Sequence, residues 1–155
     1  MSKVQIGRSL LVVLVLAAAG FATREAQAQT GLQYYAVTPC RAVDTRTGFG
    51  GIVPASTERQ FIMKGVCNVP ASAKAVSLNV TVVLPSQDGF FALWPTGGTY
   101  PSVSTINFLA NEPALANGAI VPIKNPGTPD LSTGYGTASG TGQSHLVLDV
   151  TGYFQ

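Results

Sequence analysis

Charged side chains are scarce in this sequence, since Asp, Glu, Lys and Arg together make up 10% of its 155 residues. The small positive excess lies near the N-terminus. Beyond residue 28 there are six basic and six acidic side chains, so that part of the chain is neutral. A neutral domain without a basic patch is not expected to bind nucleic acid or an anionic membrane.

Histidine is scarcer still, and His145 is the only one in the chain. No Gly-x-Ser-x-Gly motif accompanies it, and Asp149 lies four residues further along a predicted strand, roughly 13 Å away. Asp88 and Asp130 lie in turn contexts, so a pair of catalytic carboxyls is not evident. Without Asp-x-Asp runs, only a calcium site built on carbonyls stays open. We therefore predict no catalytic residue, no metal ligand and no cofactor, and a small hydrolase ranks last among the hypotheses.

The N-terminus has the pattern of a secretory signal peptide. Lys3 and Arg8 precede an apolar run over 9–22, and the small-x-small sequence "AQA" follows at 26–28. A retained membrane anchor is the alternative, but the run is shorter than the ~20 residues that a spanning helix needs. We predict a signal peptide over 1–28, a secreted domain over 29–155, and an extracellular, periplasmic or cell-surface location.

Cysteine is also rare, with Cys40 and Cys67 as the only two. An even number of cysteines in an exported chain favours a disulfide. A free catalytic cysteine would need a nearby base, and a two-cysteine metal site lacks further ligands. The disulfide is the preferred interpretation.

What the sequence does contain is strong two-residue alternation. One face of each of two segments, 74–84 and 145–154, is apolar, as expected for half-buried strands. The apolar positions are Val76, Leu78, Val80 and Val82 in the first segment and Leu146, Leu148, Val150 and Phe154 in the second.

Weaker strand signals fill the rest of the domain. They cover 32–38, 41–45, 58–64, 89–95, 103–109 and 117–124, and a short strand near Tyr135 is a further candidate. Pro122 interrupts its segment, which predicts an edge strand or a bulge there. Regular spacing with turn residues between strands predicts a single all-β domain. The expected architecture is an antiparallel β-sandwich, Ig-like or jelly-roll-like, of about eight strands.

The segment "TPCRAVDTR" (38–46) concentrates ionic groups in a chain that has few. A carboxylate flanked by guanidinium groups forms charge-assisted, often bidentate, hydrogen bonds. We predict that Arg41, Asp44 and Arg46 form a structural clasp that holds carbonyls of the loop 45–51. The functional alternative is a site for an anion or a sugar acid.

Aromatic side chains supply the candidate binding residues. Where two aromatics are consecutive in a regular strand, one must face outward, and an exposed ring can stack on a sugar or fill a partner's pocket. The candidates are Trp94, Tyr100, Tyr34 and Tyr135, with a polysaccharide or a cell-surface protein as partner. The alternative places these rings in the core or beneath neighbouring loops, and it is favoured for Trp94, which a turn follows directly.

Several segments in succession carry a resemblance to a known kind of module. They are "TPCRAVDTR", "GVCNVPASAKAVSLNVTVV", "GFFALWPTGG", "STINF", "ANGAIVPI" and "HLVLDVTGYF". This order resembles a β-rich module of exported actinobacterial and acidobacterial proteins and covers nearly the whole of 29–155. The resemblance implies an extracellular accessory or surface module, generally without assigned activity. It also implies that the two cysteines occur or are replaced together, as disulfide partners are.

Two functions other than hydrolysis follow from these features. The first is a secreted, non-catalytic surface or matrix module that binds glycan or protein through exposed aromatics and loops. The second is a self-assembling fibre or surface-layer subunit. It would exchange the N-terminal strand around 29–37 between copies, using an edge strand near Pro122.

Overall fold

The computed structural model describes residues 31–155, which contain nine β-strands and no helix. The predicted signal peptide lies outside the described residues. The strands are β1 (Tyr34–Asp44), β2 (Val53–Pro54), β3 (Glu58–Phe61), β4 (Ala75–Val83), β5 (Gly89–Pro95), β6 (Ile106–Phe108), β7 (Leu115–Pro122), β8 (Leu131–Gly136) and β9 (Gln143–Phe154).

The strands form two antiparallel sheets, as the all-β sandwich prediction requires. The first sheet has the order β1-β9-β4-β7, with the short β2 also paired to β9, and the second has the order β3-β8-β5-β6. The chain folds as one long hairpin, in which each strand pair encloses the next: β1-β9, β3-β8, β4-β7 and β5-β6. This hairpin then folds over on itself, which creates the additional pairs β9-β4 and β8-β5. This is the jelly-roll arrangement rather than the Ig-like one.

The core lies between the two sheets and follows the predicted alternation. Val76, Leu78, Val80 and Val82 of β4 are each at most 2% exposed, whereas Ser77, Asn79 and Thr81 lie on the outer face. From the second sheet, Phe91, Leu131 and Tyr135 pack against them. Each fully buried aliphatic or aromatic side chain of this kind contributes roughly 1.5–3 kcal/mol.

The prediction that Phe154 is a core position is wrong, because β9 contains a bulge. Val150 pairs with Leu78 and Gly152 pairs with Ser77, so Thr151 is an extra residue on β9. A bulge shifts the alternation by one residue. Tyr153 therefore packs against the core, and Phe154 instead contacts Tyr34, with ring centroids 5.1 Å apart.

The strand boundaries differ from the predicted ones mainly at the N-terminus. The two segments predicted over 32–38 and 41–45 form the single strand β1, which has register shifts around the Pro-Cys step. The short strand suspected near Tyr135 is β8, at the centre of the second sheet. Pro122 ends β7, which is the edge strand of the first sheet, and this confirms its predicted edge position.

A disulfide joins Cys40 of β1 to Cys67 in the connection between β3 and β4, with 5.6 Å between the Cα atoms. The predicted pairing is confirmed. The bond closes a loop of 27 residues, for which chain entropy gives a stabilisation of about 3–4 kcal/mol. A structural disulfide is consistent with an oxidising environment.

Candidate functional site

The outer face of the second sheet carries an aromatic cluster above glycines. In β8, the core residue Tyr135 alternates with Gly134 and Gly136, which lie on the outer side. A Cβ added at Gly134 would lie 2.8 Å from Tyr100 Cε2 and 3.3 Å from Trp94 Cη2. The two rings therefore lie directly on the strand backbone, at a distance that only glycine permits.

Tyr100 belongs to the β5–β6 loop, which folds back over the sheet. Its ring packs against that of Trp94, with centroids 4.9 Å apart and planes inclined by 59°. Tyr100 is 49% exposed, whereas Trp94 is 5% exposed. Trp94 thus supports Tyr100 from beneath, and the exposed surface of the pair belongs to the tyrosine.

A polar groove lies on one side of Tyr100. It has a volume of about 340 Å³ and is lined by Ser56, Thr57, Glu58, Tyr100, Gly134, Tyr135, Gly136 and Thr137. Carbon atoms form most of its exposed lining, and the polar side chains of Ser56, Thr57, Glu58 and Thr137 lie among them. Such a combination suits a ligand that has both hydroxyl groups and C–H faces.

Glu58 contributes a carboxylate to the polar groove. Its Oε1 accepts hydrogen bonds from Gln60 Nε2 at 2.9 Å and from Ser132 Oγ at 2.7 Å. The hydrogen bond from Gln60, and to a smaller extent the one from Ser132, lowers the pKa of Glu58 below its ordinary value. The side chain is therefore ionised at neutral pH, and its Oε2 accepts no hydrogen bond from residues 31–155.

A second groove, called here the Val103 groove, lies on the other side of Tyr100. Its volume is about 480 Å³, and it is lined by Phe90, Tyr100, Pro101, Ser102, Val103, Ser104 and Asn107. Val103 is 69% exposed at its rim. Tyr100 is the residue that the two linings share, so the two grooves meet at this residue.

Two of the four predicted binding aromatics do not have the expected exposure. Tyr135 is 1% exposed, packs between Phe91 and Phe108 in the core, and donates from its hydroxyl to the Gln87 carbonyl at 2.8 Å. Trp94 is covered by Tyr100. The prediction that Trp94 and Tyr135 are exposed binding rings is therefore wrong, and the alternative of a ring beneath a loop holds for Trp94.

The fourth candidate, Tyr34, lies on the opposite side of the sandwich. It is 48% exposed and sits on the outer face of the first sheet, over Gly152. Its hydroxyl donates to the Thr151 carbonyl at 3.1 Å. Tyr34 and Tyr100 therefore have nearly equal exposure but do not form one groove.

The ionic residues of "TPCRAVDTR" meet at Asp44, as the clasp prediction expects. Asp44 accepts from Arg46 Nε at 2.9 Å and Nη2 at 2.6 Å, and from Arg41 Nη1 at 3.4 Å. The hydrogen bonds from Arg46 hold the pKa of Asp44 well below its ordinary 3.8, although burial of this carboxylate acts in the opposite direction. Arg41 also donates to Asp149 at 2.8 and 3.2 Å.

The loop carbonyls are held by a different arginine. Arg59 of β3 donates to the carbonyls of Phe49, Gly51 and Ile52. The hydrogen bonds of the Arg41 and Arg46 side chains go instead to the carboxylates of Asp44 and Asp149. The prediction that Arg41 and Arg46 hold these carbonyls is therefore wrong. The missed signal was Arg59, which lies in β3, beyond the loop.

The same ion pairs bear on the alternative of an anion site. A shallow, open depression on the first sheet is lined by Pro39, Cys40, Arg41, Asn79, Asp149 and Thr151. The guanidinium at its wall faces the Asp149 carboxylate, so the depression has no net positive charge. This balance favours the structural role of Arg41, Asp44 and Arg46.

His145 lies apart from these carboxylates. Its Nδ1 is 3.2 Å from Thr45 Oγ1, and the same hydroxyl accepts from the Leu146 N–H at 2.9 Å. Thr45 is 1% exposed, so substrate cannot reach its hydroxyl. Asp149 pairs with Arg41 rather than with His145. The described residues thus contain no solvent-accessible chain of nucleophile, base and acid at His145.

Metal-binding geometry is also lacking in this part of the chain. Between residues 31 and 155, no three His, Cys, Asp or Glu side chains are grouped so as to hold a metal ion. Over the same range, no helix is long and apolar enough to span a bilayer.

No protein-family model, curated protein or solved structure matches this chain. The resemblance to β-rich modules of exported bacterial proteins therefore stays a prediction.

Proposed function

We propose that this protein is a secreted, non-catalytic module that binds polysaccharide through the outer face of its second sheet. The observation that carries the proposal is the position of Tyr100. Its half-exposed ring is fixed on Trp94 and Gly134 and stands between two open grooves.

A fixed, exposed tyrosine ring suits a sugar because pyranose rings have an apolar C–H face and a polar rim. The ring supplies apolar contact, and the neighbouring hydroxyl, amide and carboxylate groups supply hydrogen bonds. Because Trp94 and the β8 backbone already restrict Tyr100, little side-chain entropy is lost when a ligand binds.

The side chains that line the two grooves support a non-catalytic function. Among the described residues that line them, Glu58 alone carries a carboxyl group. Hydrolysis of a glycosidic bond ordinarily requires two carboxyls that flank the bond. Export is supported by the N-terminal pattern and is consistent with the Cys40–Cys67 disulfide.

A polysaccharide array probed with the exported, oxidised protein tests this function. Wild type should bind a subset of the printed glycans, and Tyr100→Ala should weaken that binding at least tenfold. Tyr34→Ala is the matched control, since it removes an equally exposed tyrosine from the other sheet, and it should bind as wild type does.

Two outcomes contradict the proposal. Binding to no glycan on a broad array removes the function itself. Binding that is lost in Tyr34→Ala but kept in Tyr100→Ala moves the site to the first sheet.

Self-assembly by exchange of the N-terminal strand receives less support. Such exchange requires β1 to leave β9 in one copy and pair with another. Within the exchanging segment 29–37, the Tyr34–Thr151 hydrogen bond and the ring contacts Tyr34–Phe154 and Tyr35–Tyr153 hold the start of β1 in place. These contacts favour a monomeric binding module over a strand-exchanging subunit.

A further inference from the structure

Building on the proposed function, we infer that the bound glycan is an uncharged polysaccharide chain that crosses Tyr100, and that Glu58 disfavours uronic-acid polymers. The inference concerns the ligand's charge and its length. Each follows from a separate feature of the two grooves.

The charge of the ligand follows from Glu58. No Lys or Arg is among the described residues that line either groove, so nothing there neutralises an incoming carboxylate. The Glu58 side chain faces solvent at the wall of the polar groove. A uronate bound within a few ångströms of it meets a like charge, which weakens binding at least about fivefold at low salt.

Glu58 is also equipped to receive hydroxyl groups. Gln60 and Ser132 fix the carboxylate through Oε1, which leaves Oε2 available as an acceptor. A sugar hydroxyl that donates to Oε2 makes a charge-assisted hydrogen bond, roughly twice as strong as a neutral one. The same group therefore attracts a neutral sugar and repels an acidic one.

The length of the ligand follows from the position of Tyr100 between the grooves. Both grooves are open to solvent, and the ring contributes to both linings. A chain that crosses the ring places one unit against the hydroxyls of the polar groove and another against Val103 and Asn107. Because both grooves are open to solvent and share Tyr100, the site accepts the interior of a chain.

The first experiment measures binding of the exported protein to neutral and uronic polysaccharides that share a backbone, printed on one array at low salt. Suitable pairs are methyl-esterified polygalacturonate with polygalacturonate, and amorphous cellulose with its C6-oxidised form, polyglucuronate. Neutral members should bind at least fivefold more tightly than acidic ones. Glu58→Gln, which keeps the shape and a polar group, should reduce that preference at least threefold.

The second experiment tests occupation of the Val103 groove. Val103→Asp adds a charge at an exposed loop position, so the fold should tolerate it, and binding to the neutral polysaccharide should fall at least fivefold. Leu109→Asp is the control, since Leu109 is 68% exposed, near the 69% of Val103, and lines neither groove. It should bind as wild type does.

The possible failures are distinguishable. If polyuronates bind as tightly as neutral polysaccharides while Tyr100→Ala abolishes both, the inference is overturned and the proposed function stands. An unchanged preference in Glu58→Gln also overturns the role of Glu58. Full binding by Val103→Asp overturns the crossing chain. If no polysaccharide binds, both the inference and the proposed function fail.

Discussion

The ring of Tyr100 rests on the ring of Trp94 at a centroid distance of 4.9 Å, and Gly134 lies beneath both. This relationship explains why a glycine occupies the middle of a strand, where it is otherwise unfavourable. The missing side chain at Gly134 makes room for the rings. The position of the candidate binding tyrosine therefore depends on a residue that cannot itself contact a ligand through a side chain.

Replacing Gly134 by alanine should displace Tyr100. The new Cβ would lie 2.8 Å from the tyrosine ring, so the ring must move, at a cost of about 1–3 kcal/mol in stability. Near-ultraviolet circular dichroism should change, because the Trp94–Tyr100 contact changes. Polysaccharide binding should fall together with that signal.

Gly118→Ala is the control for this substitution. Gly118 lies in β7 of the other sheet, and a Cβ there meets no atom within 4 Å. Its stability should stay within about 0.5 kcal/mol of wild type. If both substitutions changed stability equally, the change would come from replacing a glycine within a strand and not from displacing Tyr100.

Asp44→Asn should remove part of the acid sensitivity of the fold. Because the folded-state pKa of Asp44 lies below its unfolded value, its contribution to stability is complete above about pH 4 and is lost as the pH falls further. At pH 7 the variant should be less stable by about 1.5–3 kcal/mol. The difference should shrink towards pH 2, as measured by urea denaturation across the pH range.

Glu112→Gln serves as the matched charge removal, since the Glu112 side chain makes no hydrogen bond or ion pair within residues 31–155. Its stability curve should run parallel to that of wild type. A constant difference between Asp44→Asn and wild type from pH 7 to pH 2 would mean that the negative charge of Asp44 does not stabilise the fold.

Arg59→Lys should loosen the loop 45–52 while leaving the sandwich intact. Arg59 holds three carbonyls, those of Phe49, Gly51 and Ile52, through two terminal nitrogens. Lysine has one compact ammonium group and cannot reproduce this fork. Amide hydrogen exchange should rise in 47–53 and stay unchanged in β4. Unchanged exchange in the loop would show that its own turn hydrogen bonds are sufficient.

The sequence allowed the strands and much of the core to be predicted because two-residue alternation is a local property. Val76 and Leu146 are recognisable as core positions without knowledge of which strands they pair with. The alternation failed at Phe154 because a bulge at Thr151 is decided by pairing with β4, which the local pattern does not contain. Strand order was likewise beyond reach, because it depends on how the hairpin rolls up.

The candidate site was predicted less well for the same reason. Glu58 and Tyr100 are far apart in the sequence, and only the pairing of β3 with β8 and of β8 with β5 brings them to one groove. The turn that directly follows Trp94 favoured a shielded ring there, but nothing local shows that it is Tyr100 of the β5–β6 loop that covers it. Gly134 and Gly136, spaced by two beside a core tyrosine, are the signal that could have located the aromatic face.

The disulfide should account for a large share of the stability of the domain, because the bond connects β1, an edge strand, to the β3–β4 connection. Cys40→Ser/Cys67→Ser should lower the free energy of unfolding by about 3–4 kcal/mol, measured by guanidinium denaturation. Wild type treated with reductant should lose a similar amount, whereas the double variant should not respond to reductant. Two free thiols in the exported protein, detected by intact mass after alkylation, would contradict the pairing. If the double variant matches oxidised wild type in stability, the contacts of β1 with β9 are sufficient without the bond.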